Sequence, residues 1–357
     1  MESGLFSSQP PGAPNGNRKT LQAGIIGAGR MGITHLAIFG GHPDVRVSAV
    51  ADNSPIVTHT LGRYRSDIAL FKSYEEMLGR MPLDLVVIAT PPHMHAAMID
   101  AALDCGLSIF VEKPFTLAGD EARRLAARSR AVAGTHQVGY VNRFNDVFMI
   151  VKKLLKAGLL GRLISFCSDM FGRTVIRMED NSGWRSERKT GGGALYEFGS
   201  HAIDLAVYLF GCPDQVVGTR LTPIYSSHIE DMVRTTFLYK SGLEGSVLVN
   251  WSDESHRKPT NRIEVFGERG KITADQQELK IFLKEEAEGF VKGWNIVYIT
   301  DVFTPVPFYV RGYEFTRQLF HFAERARTKA ENMASFDEGA ITQHVLDMIL
   351  ADAGVEL

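Results

Sequence analysis

Two segments of the chain carry side chains that could remove a proton from an alcohol. Lys113 lies two residues after the end of a strand-length apolar run at 107–111. Glu197, His201 and Asp204 are separated by four and three residues, so a helix beginning at Ala194 would place them on one polar stripe. The helix dipole would keep His201 neutral as a base, and a lysine ammonium could stabilise a developing alkoxide. From residue type alone, Lys113 could equally be a surface lysine in an ion pair and His201 a packing histidine. Together, however, they can supply the proton transfer that oxidation of an alcohol requires.

A glycine-rich turn follows the first apolar run and opens a segment of helical periodicity. It comprises Gly27, Ala28, Gly29, Arg30, Met31 and Gly32. In a dinucleotide-binding turn of this spacing, the first glycine permits the tight turn and the second lets the backbone approach the pyrophosphate. The third lets helix and strand pack closely. The strand, turn and helix context therefore predicts a nicotinamide dinucleotide as the hydride carrier.

Asp52 and Asn53 end the second predicted strand, and Asp52 lies twenty residues after Gly32. A carboxylate at this place can accept hydrogen bonds from the adenosine ribose, and its charge would repel a 2′-phosphate. We therefore predict NAD rather than NADP as cofactor, while Arg30, close to the phosphates, keeps NADP as the alternative. Asp52 could instead serve only to cap the next helix.

A loop rich in proline and histidine follows the predicted strand at 85–89. It comprises Thr90, Pro91, Pro92, His93, Met94 and His95. Because α/β folds bind ligands at the carboxyl ends of parallel strands, the loop is expected to border the cofactor. We interpret His95 either as a packing residue at a helix start or as a cofactor contact. The two histidines have no acid or cysteine to complete a ligand set, so no metal site is predicted.

Short apolar runs alternate with helical segments between residues 21 and 141, which predicts an N-terminal Rossmann domain with a doubly wound parallel sheet. Its strands are expected at 23–26, 45–51, 85–89, 107–111 and 135–139. Residues 142–357 contain a few helices and several consecutive strands joined by turns, including runs at 234–239, 245–251 and 262–266. They predict a C-terminal α+β domain with a large, mostly antiparallel open sheet.

The bulk composition excludes several classes of protein. With 357 residues, 45% of them hydrophobic, the chain can form two cores, and a net charge of −2 provides no basic field for nucleic acid. The apolar runs fall far short of the roughly 20 residues that span a bilayer. Three widely separated cysteines suggest a reducing cytoplasm. Residues 1–20 lack the features of a secretory signal and are expected to form a disordered tail.

Ordered motifs from about Leu21 to the C-terminus resemble those of the glucose-fructose oxidoreductase and inositol dehydrogenase family (Gfo/Idh/MocA). The motifs are the glycine turn, Thr90-Pro91, Glu112-Lys113-Pro114, Gly139-Tyr140, Arg143-Phe144, and the segment from Gly191-Gly192-Gly193 through Glu197, His201 and Asp204. Several ordered motifs over one chain make the resemblance specific.

The resemblance implies roles for individual side chains. Lys113 would reach the reacting hydroxyl beside the nicotinamide, and His201 would accept its proton. The neighbouring family acid is normally aspartate, and this chain has Glu197 in its place. Glu112 and Lys113 are also expected to contact the cofactor. The residues expected around the substrate are Lys113, Tyr140, Asn142, Arg143, Trp184, Arg185, Glu197, His201 and Asp204.

The expected function is that of an NAD-dependent dehydrogenase or ketoreductase acting on a CH–OH group of a sugar, a sugar derivative or an inositol. Two alternatives stay open: a glycosidase of the same architecture whose bound NAD transiently oxidises the sugar, and a cofactor-binding sensor without catalysis. The sensor alternative stays open because Glu197 replaces the usual aspartate. The resemblance also implies a homodimer or homotetramer with sheets paired face to face, and neither a nucleic-acid nor a membrane partner is expected.

Overall fold

The computed structural model describes residues 19–179 and 183–355. The tail predicted for residues 1–20 therefore lies outside the described residues, apart from 19 and 20. The described chain divides into two compact units. The first unit comprises 19–140 and 305–340, and the second comprises 141–304 and 341–355. The sequence-based division assigned all of 142–357 to the second domain, whereas 305–340 group with the first unit.

The first unit is built on a six-stranded sheet in the order β3-β2-β1-β4-β5-β6, with all pairs parallel. Its elements are β1 (Leu21–Ile26), α1 (Arg30–Gly40), β2 (Val45–Ala51), α2 (Pro55–Tyr64), β3 (Ala69–Phe71), α3 (Tyr74–Arg80), β4 (Leu85–Ile88), α4 (His95–Asp104), β5 (Ser108–Val111), α5 (Gly119–Ser129) and β6 (His136–Val138). This arrangement confirms the predicted doubly wound parallel sheet. Strand β3 was not predicted, because three half-buried residues are too few to show a periodicity.

Strand β4, near the centre of the first sheet, is apolar and buried throughout because both of its faces are covered. Strand β4 shows how its side chains divide between two cores. Val86 and Ile88 join one core, and Leu85 and Val87 join the other. Since successive side chains of a strand point to opposite faces, a strand covered on both sides has no polar positions to alternate with apolar ones.

The second unit is built on an eight-stranded sheet in the order β14-β13-β12-β11-β7-β10-β9-β8. Its elements are α6 (Asp146–Lys156), β7 (Leu163–Phe171), α7 (Ser200–Phe210), β8 (Gln215–Thr222), β9 (Met232–Leu238), β10 (Glu244–Asn250), β11 (Thr260–Gly267), β12 (Gly270–Ala274), β13 (Glu278–Leu283), β14 (Gly293–Tyr298) and α8 (Ile299–Val302). Only β7 and β10 pair in parallel among the strands of this sheet. The predicted large, mostly antiparallel sheet is confirmed.

One face of the second sheet is open within its unit. Burial alternates along β10 and β11, as expected when helices cover only one face. Cross-strand partners share a face, and the open face carries a group of exposed large hydrophobic side chains near β14. These are Phe266, Phe282, Trp294, Ile296 and Tyr298.

Two further helices close the chain, α9 (Tyr313–Thr328) and α10 (Phe336–Asp352). Leu319 and Phe322 of α9 pack into one core of the first unit, and Phe336 and Ala340 of α10 pack into the other. These contacts explain why 305–340 group with the first unit. None of the helices in the described ranges combines the length and apolar character needed to cross a membrane.

Candidate active site

The glycine turn joins β1 to α1, and two of its glycines are required by neighbouring protein atoms. Gly27 has φ +87°, the left-handed region that favours glycine. A Cβ on Gly32 would lie 1.8 Å from the Gly27 carbonyl oxygen, so only glycine permits this packing of helix on turn. A Cβ on Gly29 would meet nothing within 4 Å. The backbone at Gly29 is therefore open at the N-terminus of α1, where the amide groups favour an anion.

Asp52 ties the glycine turn to the end of β2. Its Oδ2 accepts a hydrogen bond from the Ala28 amide at 2.7 Å, and its Oδ1 accepts one from the Ser54 amide at 2.8 Å. Ser54 is the N-cap residue of α2, whose start carries no side-chain capping hydrogen bond, so the capping role considered for Asp52 is not confirmed. A carboxylate has about four lone-pair positions, so these two bonds leave acceptor capacity for ribose hydroxyls. Asn53 and Arg30 are exposed, and Met31 is half-buried.

His95 is fully buried and bridges two loops of the first unit. Its Nε2 lies 3.0 Å from the Thr90 carbonyl oxygen, and its Nδ1 lies 3.0 Å from that of Pro114. Burial lowers the pKa of His95, so the ring is neutral and donates to one of the two carbonyls. Of the two roles considered from the sequence, complete burial favours packing. Thr90 and Pro91 are half-buried beside it, and Pro92 is buried.

Lys113 follows the end of β5 and is half-buried. The backbone of Glu112 continues the sheet by donating to the Ile88 carbonyl at 2.9 Å, and the Lys113–Pro114 peptide bond is cis. The Glu112 side chain is 12% exposed and its Oε1 lies 2.7 Å from Nε2 of His35. Sequence reasoning missed His35. The available signal was a histidine on the otherwise apolar buried face of α1.

In the second unit, Glu197 lies on a π-helical turn and His201 lies on the α-helix that continues it. Residues Leu195–Gly199 form a π-helical turn, and α7 continues from Ser200. The single α-helix predicted from Ala194 is therefore wrong in its first turn. Glu197 is half-buried, with its Oε1 3.4 Å from Nη2 of Arg185. His201 is also half-buried. A π turn of this kind is frequent at functional sites.

Arg143 and Asp204 form a buried ion pair, each side chain being 1% exposed. Arg143 Nη2 donates to Asp204 Oδ1 at 2.8 Å and its Nε donates to Oδ2 at 3.0 Å. Thr342 donates to the same carboxylate at 3.0 Å. Burial leaves little of either side chain exposed, and their role as substrate contacts stays a prediction. The pair anchors α7, which carries His201.

Glu230 is a second buried acid of this unit that sequence reasoning missed. Its Oε1 accepts the Leu195 amide at 2.9 Å, and its Oε2 lies 2.6 Å from Nη2 of Arg188. A Cβ on Gly193 would lie 2.3 Å from Glu230 Oε1. The Gly193 position therefore leaves room for an internal carboxylate. Burial raises the pKa of Glu230, and Arg188 opposes that rise.

The remaining predicted substrate residues differ in exposure. Tyr140 and Asn142 are buried, whereas Trp184 and Arg185 are half-buried. The Arg185 guanidinium lies 4.3 Å from the centre of the Trp184 ring. The second unit thus brings Trp184, Arg185 and Glu197 together, and the first brings the glycine turn, Asp52 and Lys113 to one edge of its sheet. The described part of the chain contains no His, Cys, Asp and Glu cluster that could hold a metal ion.

Comparison with known proteins identifies both parts of the chain. Residues 21–140 match a family model described as an oxidoreductase family with an NAD-binding Rossmann fold. Residues 148–273 match the model of the GFO/IDH/MocA C-terminal domain.

Among individual relatives, an uncharacterized oxidoreductase of Schizosaccharomyces pombe is 33% identical over 150 residues, which cover 42% of this chain and 40% of that protein. An inositol 2-dehydrogenase of Rhizobium meliloti is 28% identical over 265 residues, 72% of this chain and 76% of the relative. A solved structure of levoglucosan dehydrogenase with NADH and levoglucosan superimposes with a TM-score of 0.84, covering 94% of this chain and 98% of that one. At 22% identity, this likeness shows the fold alone.

Proposed function

The chain belongs to the Gfo/Idh/MocA family of oxidoreductases and carries an NAD-binding Rossmann domain, and from this premise we propose a specific reaction. The protein transfers a hydride between nicotinamide and a hydroxyl-bearing ring carbon of a sugar, a sugar derivative or an inositol. It is a dehydrogenase acting on a CH–OH group. The reaction takes place in the cytoplasm, which suits the three free cysteines at 105, 167 and 212.

The placement of Lys113 relative to the glycine turn carries this proposal. Strands β1 and β5 lie in one parallel sheet, with β4 between them. Their carboxyl ends therefore meet at one edge, which presents both the turn after β1 and the Lys113 segment after β5. Doubly wound folds bind dinucleotides at this edge. An amino group placed there can act on a substrate that is held next to the cofactor.

The residues of the first unit fit NAD. The open backbone at Gly29 and the first amides of α1 would hold the pyrophosphate, and the spare acceptor positions of Asp52 would bind the adenosine ribose. The negative charge of Asp52 favours NAD over NADP. When bound, NAD supplies the carbon that accepts or returns the hydride.

The second unit supplies the proton acceptor in this proposal. His201 takes the hydroxyl proton, and the Lys113 ammonium stabilises the developing alkoxide. Glu197 Oε1 lies 3.4 Å from Nη2 of Arg185. The Glu197 carboxyl group can orient the imidazole or accept a hydrogen bond from a second substrate hydroxyl, as the usual aspartate would.

A polyhydroxylated ring is the substrate class that these side chains favour. Glu197, Arg185 and His201 are half-buried polar groups with several donors and acceptors. The half-buried Trp184 ring adds an apolar surface beside them, which suits the C–H face of a sugar or cyclitol. Such a mixture of polar groups and one aromatic ring is typical of small-molecule sites.

The test is a substrate panel with the purified full chain. The protein is incubated with NAD or NADP and with inositols, aldoses, uronates and nucleotide sugars, and the absorbance of the reduced cofactor is followed. We expect turnover with at least one ring polyol, faster with NAD than with NADP. Tight NAD binding without turnover on any member would overturn the dehydrogenase and favour the glycosidase or sensor alternatives. Cleavage of a glycoside with no net cofactor reduction would identify the glycosidase.

We also propose that the open face of the second sheet pairs with a second copy, giving a homodimer or homotetramer. The exposed Phe266, Phe282, Trp294, Ile296 and Tyr298 support this, because contiguous apolar patches on a protein surface mark association sites. Sedimentation of the wild type is expected to give a dimer or larger species. The double variant Trp294→Lys and Ile296→Lys is expected to sediment as a monomer, and an unchanged mass would contradict this face as the interface.

A further inference from the structure

The Glu112-Lys113-Pro114 segment is flanked at both ends by buried imidazoles from two helices. His35 of α1 bonds Glu112 Oε1 through Nε2 at 2.7 Å. His95, the first residue of α4, has its Nδ1 3.0 Å from the Pro114 carbonyl oxygen. Both histidines are 0% exposed. Lys113 is the residue between the two attachment points.

The surroundings of His35 determine how it bonds to Glu112. Its Nδ1 is buried and has no hydrogen-bond partner among the described residues. Of the two ring nitrogens, Nε2 is therefore the one that bonds the Glu112 carboxylate. The Phe110 ring packs against the imidazole with centroids 5.1 Å apart and limits its rotation. One oxygen of Glu112 is therefore held in place.

The second oxygen of Glu112 transmits this constraint to Lys113. Oε2 accepts a hydrogen bond from the Lys113 amide at 3.3 Å. On the other side of the carboxylate, a Cβ on Gly139 would lie 3.3 Å from Oε2, which is tighter than an ordinary contact. The Glu112 side chain is thus held by His35 and by the Lys113 backbone, beside the position that Gly139 leaves without a side chain. A carboxylate confined in this way limits the directions in which the Lys113 side chain can leave the backbone.

We propose that His35 is a positioning residue for the hydride transfer, acting on Lys113 through the Glu112 carboxylate. This rests on the proposed function, because the direction of the Lys113 ammonium matters to turnover only if that group contacts the substrate. His35 would touch neither substrate nor cofactor.

The experiment compares two replacements of His35 with a matched control in the full chain. His35→Leu removes the donor at similar volume, whereas His35→Gln retains an N–H near the position of Nε2. His136→Leu is the control, because it also replaces a buried imidazole of the first unit, one that packs on Phe336 with centroids 5.4 Å apart. We measure kcat and KM on the polyol identified in the panel, and the Kd of NAD. Reductive methylation with 13C-formaldehyde gives a Lys113 resonance, assigned by its loss in Lys113→Arg.

We expect His35→Leu to lower kcat by roughly 10- to 100-fold, the scale of a small misplacement of a reacting group, with NAD affinity nearly unchanged. His35→Gln is expected to restore most of kcat, and His136→Leu to keep it. The Lys113 resonance is expected to move in His35→Leu alone.

Unchanged kcat and an unchanged Lys113 resonance in His35→Leu would overturn the proposal, as would equal losses in His35→Leu and His136→Leu. If the wild type turned over no member of the panel, the proposed function would fail, while the resonance would still decide whether His35 fixes Lys113. If His35→Leu does not fold, Glu112→Ala takes its place. The resonance is expected to move in that variant too, and an unmoved signal would reject the proposal.

Discussion

The two units support their proposed reacting side chains with buried polar groups of different chemistry. In the first unit, Lys113 is flanked by His35 with Glu112 and by His95. In the second, His201 lies on a helix that is anchored by the ion pairs Arg143 with Asp204 and Arg188 with Glu230. A guanidinium keeps its charge at all ordinary pH values, whereas burial lowers the pKa of the His95 imidazole. Protonation of His95 would therefore weaken the support of the first unit, whereas the support of the second unit is weakened by removing one partner of an ion pair.

The largest effect is expected at the two reacting groups themselves. Lys113→Ala and His201→Ala should each lower turnover by about 10²- to 10⁴-fold, the usual contribution of a positioned acid or base, while NAD affinity changes little. Steady-state kinetics and cofactor titration measure both quantities. Lys72→Ala and His344→Ala, which replace exposed residues of the same types, are the controls and should retain turnover. Wild-type rates in either test variant would remove that residue from the mechanism.

The next largest effect is expected when the Arg143–Asp204 ion pair of the second unit is broken. Arg143→Met would leave Asp204 charged and unpaired at 1% exposure, which should lower the free energy of unfolding by about 3–5 kcal/mol. Urea denaturation monitored by fluorescence gives this value. The double variant Arg143→Met and Asp204→Leu should regain most of the loss because no buried charge remains. A single variant as stable as the wild type would show that Asp204 is accessible to water or protonated.

A third prediction concerns the loss of stability of the first unit at low pH. Burial is the main cause that lowers the pKa of His42, His136 and His321 to about 4. Their ordinary value is about 6.5, so the unfolded chain binds protons first. Stability from these groups is complete above pH 6.5 and is lost as the pH falls through 4. One pKa unit corresponds to about 1.4 kcal/mol, so the nine-tenths-buried His136 alone should remove roughly 3 kcal/mol.

Hydrogen exchange followed by mass spectrometry between pH 7 and about 4, corrected for intrinsic rates, tests this prediction. Amides of the first sheet should lose protection before those of the second. The variant His136→Phe, which cannot be protonated, should shift the loss to lower pH. Simultaneous loss in both sheets would contradict the difference between the units.

The smallest effect concerns the cofactor. Asp52→Asn removes the charge that disfavours a 2′-phosphate and should reduce the preference for NAD over NADP by roughly 10-fold, or about 1.4 kcal/mol. Asparagine is chosen because Asp52 also accepts amide bonds from Ala28 and Ser54, which a shorter serine would reach less well. The ratio of kcat/KM values for the two cofactors measures the effect. An unchanged ratio would assign discrimination to another residue, with Arg30 the first to examine.

Most of the first unit could be predicted from the sequence because buried parallel strands are continuous apolar runs. Strand β2 was predicted at its observed bounds, and β4 and β5 to within a residue. The glycine turn was equally readable, because two of its glycines are fixed by contacts within a few residues or with the adjacent strand. The π turn at Leu195–Gly199 was not, since periodicity arguments assume 3.6 residues per turn.

The supporting residues could not be predicted because their partners are distant in the sequence. His35 and Glu112 are 77 residues apart, and Arg188 and Glu230 are 42 apart. A lone glutamate before a strand is ordinarily an exposed residue, and nothing local distinguishes Glu230. Arg143 and Asp204 are 61 residues apart, so nothing in the local sequence indicates that the two side chains form a buried ion pair.

The grouping of 305–340 with the first unit has a consequence for synthesis on the ribosome. Leu319, Phe322 and Phe336 complete the two cores of a sheet whose strands are translated long before them. The nascent chain must therefore emerge through the whole of the second sheet before the first can close over its apolar faces. A fragment that ends near residue 304 should accordingly bind chaperones or precipitate, even though it contains every strand of both sheets.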